Sequence, residues 1–178
     1  MDGGTALTPK TTTQIWGAMP EDLDHLLDLV LGGTETASVD DKGRMLISAS
    51  KRRGLGEKFF MSSDPRGCIV AFSKQALAER LKDFRELPPQ SRKRQILGHI
   101  LGRDLEKEVH CDAQGRVVLP MRLRKSAGIS GKVEVVGSID QVEIWNPQKL
   151  EEYYDSLREI ADNDEDLLEW ARGEGKSK

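Results

Sequence analysis

Apolar positions in this chain gather into short clusters of two kinds, and the same succession of clusters occurs twice. Met45-Leu46-Ile47 and Val117-Val118-Leu119 are three-residue apolar runs entered from polar turns, which reads as short strand. Strand-like runs follow in pairs: "KFFMSS" and "GCIVAF" around the turn "DPR", then "KVEVVGS" and "QVEIW" around "ID". The period then changes. "SKQALAERLKDF" and "NPQKLEEYYDSLREI" space their apolar residues three and four apart, as a helix buried along one face requires. Ser73 and Asn146 suit the cap positions, and Pro147 falls where a missing amide costs nothing. Between the halves, Pro88-Pro89 stops the first helix and a linking helix is predicted from Ser91 to about Leu101. Ahead of both, "PEDLDHLLDLVL" predicts a short helix ended by Gly32-Gly33.

The alignment of the halves is closest at the turns. Asp40-Asp41-Lys42-Gly43-Arg44 lies over Asp112-Ala113-Gln114-Gly115-Arg116, 72 positions on. Glycine there can take a backbone geometry closed to other residues and holds the next arginine at the strand start, while the aspartate four residues ahead can accept backbone hydrogen bonds or orient the guanidinium. Such a repeat means two copies of one supersecondary unit burying a common face. The resulting divisions are an N-terminal extension (1–31), a first repeat (32–80), a helical connection (81–108), a second repeat (109–157) and an acidic segment (158–178). Strands this short do not make an independent sheet, so the halves are expected to pair intimately.

Charge changes the picture. The 178 residues carry 27 Lys and Arg against 30 Asp and Glu, a net charge of -3, but the two signs are segregated. Lys42 to Lys58 holds six basic residues and one acidic, Glu57; Gln114 to Lys132 holds five basic and none acidic; Glu151 to Trp170 holds nine acidic and only Arg158 basic. A basic turn and short basic helix in each repeat is the footprint expected of phosphate-backbone contact. Catalysis finds no support: His25, His99 and His110 lack metal-site spacing, Cys68 and Cys111 are isolated, and no Gly-rich nucleotide loop, nucleophile elbow or HExxH occurs. No metal or cofactor is therefore expected. With no membrane-length apolar run and no signal-like start, a soluble cytoplasmic protein without membrane partners is predicted.

"SVDDKGRMLIS", "CDAQGRVVLP" and "LRKSAGISGKVEVVGSIDQVEIWNPQKLEEYY" together resemble the MraZ family, bacterial transcriptional regulators built from two SpoVT-AbrB-type modules; the likeness spans residues 31 to 157. It implies an α+β fold, a pseudo-symmetric swapped-hairpin β-barrel of AbrB type formed by the two repeats, with flanking helices. It places the family's Asp-x-x-x-Arg signature on Asp40/Arg44 and Asp112/Arg116. It further implies a ring-like homo-oligomer of about eight or more subunits. The DNA it implies is double-stranded, with tandem short repeats ahead of a division and cell-wall gene cluster, which makes the protein nucleoid-associated. The first copy departs from the family pattern at Ile47-Ser48-Ala49, where Ile-Pro-Ala is usual.

A joint barrel core is then expected from Leu46, Ile47, Phe60, Ile69, Val118, Leu119, Val133, Val135, Val142 and Ile144, since short strands leave open edges unless the other half covers them. Arg44 is the first candidate to read a base edge, through two parallel hydrogen bonds to guanine. Lys42, Lys51, Arg52 and Arg53 are candidates for DNA contact, with Lys42, Arg52 and Arg53 assigned to phosphates. Arg116 faces DNA, the core or a subunit interface, and Asp40, Gly43, Asp112 and Gly115 support the motif. The competing reading is a non-catalytic protein-assembly or antitoxin-like module that uses the same barrel for protein partners. The Leu-rich acidic segment with Trp170 suits that use.

Overall fold

The computed structural model describes residues 30–167. Most of the helix expected up to Leu31 lies outside the described residues; Leu31 itself forms an antiparallel bridge with Ile139. In chain order the elements are β1 (Thr34–Ser38), β2 (Arg44–Leu46), α1 (Ala49–Leu55), β3 (Phe59–Ser63), β4 (Ile69–Phe72), α2 (Lys74–Glu86), α3 (Arg92–Arg103), β5 (Glu106–Val109), β6 (Arg116–Val118), α4 (Met121–Ala127), β7 (Lys132–Ser138), β8 (Gln141–Trp145) and α5 (Pro147–Asp162). Local chemistry sets the helix starts. Ser73, Ser91 and Asn146 cap α2, α3 and α5, their side-chain oxygens accepting from Ala76, Arg94 and both Gln148 and Lys149.

Six strands form an antiparallel sheet in the order β1-β7-β8-β4-β3-β5, and β2 pairs with β6 in a separate two-stranded ribbon. The order is symmetric about the β8/β4 pair, where Ile69 stands opposite Ile144 and Ala71 opposite Val142. Outward from that seam each half supplies its own hairpin partner, β7 or β3, and then receives an edge strand from the other half. The two halves are interleaved through these exchanged strands.

The sheet is nonetheless open, which corrects the expected barrel: β1 pairs only with β7 and β5 only with β3. Closure is not needed to protect the edges. The edge strands read "TETAS" and "EKEV", and polar or charged edges resist pairing with further strands. Short polar runs carry no apolar alternation, so neither strand is legible in the sequence.

Both faces of the central strands are covered. On one face, Ile69, Ala71, Val133, Val135, Val142 and Ile144 form one cluster with Met45 and Val117 of the ribbon and with Leu55, Leu123 and Ala127 of α1 and α4. On the other, Val70, Phe72 and Trp145 pack with Ala76 of α2 and Leu150 of α5. Buried Glu143 on this second face accepts from Arg66, Gln141 and the Trp145 indole, so its charge is paired.

Three members of the expected core are placed differently. Leu46 and Val118 are 55% and 57% exposed, while Met45 and Val117 turn inward at 1%. The apolar runs Met45-Leu46-Ile47 and Val117-Val118-Leu119 do not declare which of their residues face inward, and one residue of register reverses it. Phe60 lies on the second face, stacked with Phe72 at a centroid distance of 6.2 Å.

Candidate nucleic-acid interface

Each repeated turn is built by its aspartate. One carboxylate oxygen of Asp40, Oδ1, accepts from the amides of Lys42 (2.9 Å) and Arg44 (2.8 Å), and Oδ2 accepts from Arg44 Nε at 2.7 Å. Asp112 repeats the pattern, with Oδ1 accepting from the amides of Gln114 (3.0 Å) and Arg116 (2.9 Å) and Oδ2 from Arg116 Nε (2.9 Å). The four-residue spacing is thus the reach of one carboxylate across a tight turn. Gly43 and Gly115 close the turns at φ 79° and 81°, the left-handed region that disfavours any side chain. Hydrogen bonds from the arginine amides, and then from their side chains, hold both carboxyls below the usual carboxylate range.

The turns also lock the halves together. Ile47 N donates to Gly115 O at 3.0 Å and Leu119 N to Gly43 O at 2.8 Å. Arg52 of α1 donates through Nε to Ile47 O (3.2 Å) and lays its guanidinium against Gly115; Arg124 of α4 donates to Leu119 O (3.1 Å) and lies against Gly43. Antiparallel pairing of β2 and β6 sets Arg44 opposite Val118 and Leu46 opposite Arg116. With Met45 and Val117 turned inward, those four side chains share the ribbon's outer face.

The nominated residues therefore divide. Arg44 and Arg116 sit together on the ribbon, their side chains 36% and 40% exposed, and with Val118 and His110 they line one recess. Lys42 and Arg53 are exposed. Arg52 is half-buried and holds the opposite turn in place. Lys51 is not at the surface: it is 3% exposed, with Nζ 3.4 Å from Gly32 O and 3.7 Å from Glu35 Oε1. Its counterpart in the second repeat is the fully buried Leu123, and comparing the two helices position by position could have placed Lys51 inward. The same comparison could have found Arg124, the counterpart of Arg52. Arg122 is engaged elsewhere, bridging Asp104 (3.2 Å) and Glu106 (2.6 Å).

Among the described residues no His, Cys, Asp and Glu group is arranged to hold a metal, and no helix is long and apolar enough to cross a membrane. Known proteins match most of this chain. A protein named transcriptional regulator MraZ from Moorella thermoacetica is 36% identical over 133 residues, covering 74% of this chain and 90% of that protein. The chain belongs to the MraZ family. The MraZ protein of the same name from Acetivibrio thermocellus is 35% identical over 117 residues (65% of this chain, 80% of the relative), and that from a Thermoanaerobacter species 32% over 143 residues (78% and 99%). The model of the family, "MraZ protein, putative antitoxin-like", matches residues 105–169, the β5-to-α5 half of this MraZ chain. The first half carries the same turn with the same hydrogen bonds. These relatives are named transcriptional regulators, and the chain is a MraZ-type regulator in that general sense.

Proposed function

We propose that the outer face of the β2–β6 ribbon reads double-stranded DNA, and that the protein is a sequence-specific transcriptional regulator. The observation that carries this reading is the pair Arg44 and Arg116, held on one face of a two-stranded ribbon by their own aspartates. The major groove admits such a ribbon, and arginine is the side chain best matched to guanine there. Arg44 commits Nε and Nη2 to Asp40, so Nη1 and the outward hydrogen of Nη2 face away from the turn. Arg116 commits the same two nitrogens, Nε to Asp112 and Nη2 to Gln114, and leaves the same donors facing outward. Lys42 and Arg53 are suited to phosphate contacts on either side, which fix position without reading sequence.

One such ribbon holds few bases. The reading therefore includes self-association into a ring-like homo-oligomer of about eight or more subunits, which repeats the face along tandem short sites. Linked contacts of that kind raise apparent affinity by roughly 10²- to 10⁴-fold when spacing fits. Repression by occupying its own promoter, ahead of a division and cell-wall gene cluster, is the regulatory outcome proposed, with the protein at the nucleoid.

Gel-shift titration of the full chain against the region upstream of its own gene, with repeat spacing varied and light scattering in parallel, tests this. Tight binding that depends on spacing supports it. Binding no better than to scrambled duplex would favour the protein-assembly alternative.

A further inference from the structure

Leu46 and Val118 occupy equivalent positions in the two repeats, and both stand more than half exposed on the ribbon's outer face. Nothing in the fold needs an aliphatic side chain there, since the ribbon's packing is done by Met45 and Val117. A polar β-former such as threonine would serve the strand equally well. The register gives the face a chequered pattern: Arg44 and Arg116 lie on one diagonal, Leu46 and Val118 on the other.

Two aliphatic side chains make too small a patch for a protein partner, which needs roughly 800 Å² on each side. The guanidinium groups flanking them favour a polyanion. Within the major groove, the feature that an aliphatic side chain reads is the C5 methyl of thymine. We propose that Leu46 and Val118 are specificity-determining residues that contact thymine methyl groups beside the bases met by Arg44 and Arg116. The inference rests on the DNA-reading function above and adds a second kind of readout to it: polar along one diagonal and apolar along the other. Twofold placement of the four side chains makes the preferred half-sites pair a guanine with a neighbouring thymine in each repeat's footprint.

Deoxyuridine differs from thymidine only by that methyl, so the test replaces thymines in the preferred duplex with deoxyuridine one at a time and all together. Binding is measured for the wild-type full chain, Leu46→Ser, Val118→Ser and Arg44→Ala, with assembly mass and circular dichroism checked for each. The wild type should lose roughly fourfold in affinity per contacted methyl. Leu46→Ser and Val118→Ser, which have no methyl to offer, should each become indifferent to one of those replacements, and Arg44→Ala should remain sensitive to them. Equal wild-type binding to thymine and uracil duplexes, with preference over scrambled DNA intact, overturns this inference and leaves the DNA-reading function standing. Undiminished sensitivity in both serine variants overturns it as well. A wild type that prefers no sequence overturns both.

Discussion

The guanidinium of Arg52 in the first repeat lies 2.9 Å from where a β-carbon on Gly115 of the second would stand, and Arg124 meets Gly43 in the same way at 3.0 Å. Each repeat thus braces the Asp-x-x-Gly-Arg turn of the other. The turns are shared features of the joint fold, and their geometry depends on both halves at once.

Replacing Gly43 or Gly115 with alanine should destabilise the protein by about 1–2 kcal/mol each, because both glycines hold left-handed backbone. The added methyl also displaces the facing arginine. Gly43→Ala combined with Arg124→Ala should therefore cost less than the two single changes added together, by about 0.5 kcal/mol or more. Denaturant midpoints of the four proteins give the cycle, and strict additivity would remove the bracing role.

Arg44→Ala should remove about 1–3 kcal/mol of discrimination between the preferred and scrambled sites. Arg53→Ala should weaken both equally and flatten the salt dependence of binding. Titrations across a salt series distinguish the two patterns. An Arg44→Ala variant that stays folded and assembled and keeps full site preference would pass the reading role to Arg116 or Lys42.

Lys51→Leu copies the second repeat's Leu123 into the first. Replacing a buried charge with a packed apolar side chain is often neutral or stabilising, by about 1–4 kcal/mol. The expected outcome is an unchanged or higher unfolding midpoint with unaltered DNA affinity. A drop in affinity at constant stability would return Lys51 to the contact set.

Asp40 and Asp112 have carboxyls held down chiefly by the amides of Arg44 and Arg116. A folded-state pKa below the unfolded value of about 3.9 means that their contribution is fully present above that pH and is lost as pH falls through the lower, folded-state values. Turn geometry should accordingly persist down through pH 4 and fail only below it. Carboxyl carbon shifts followed by NMR check this, and titration at the ordinary aspartate value would contradict the hydrogen-bonded turn.

Ile144→Ala removes a fully buried side chain at the seam facing Ile69, so it should cost about 2–5 kcal/mol. Exchange of β1 and β5 ties the halves into one unit, and unfolding should remain a single transition in both proteins. Two separated transitions would mean independently stable repeats.

The repeated Asp-x-x-Gly-Arg turns, the short basic helices, the capped α2, α3 and α5 and the central hairpins were all legible in the chain, because each depends on residues within about one turn or one strand of each other. Arg44 and Arg116 stood out for the same reason: their aspartates act across four residues. Tertiary structure decided what depends on distant partners. It exchanged the polar strands β1 and β5 between halves, where their backbone pairing outweighs an absent apolar pattern. It left the sheet open because a ribbon and two short helices, rather than further strands, cover its face. It also chose which side of "RML" and "RVV" is buried, turning Leu46 and Val118 outward beside their arginines, since a three-residue strand acquires an inside only when the other half packs against it.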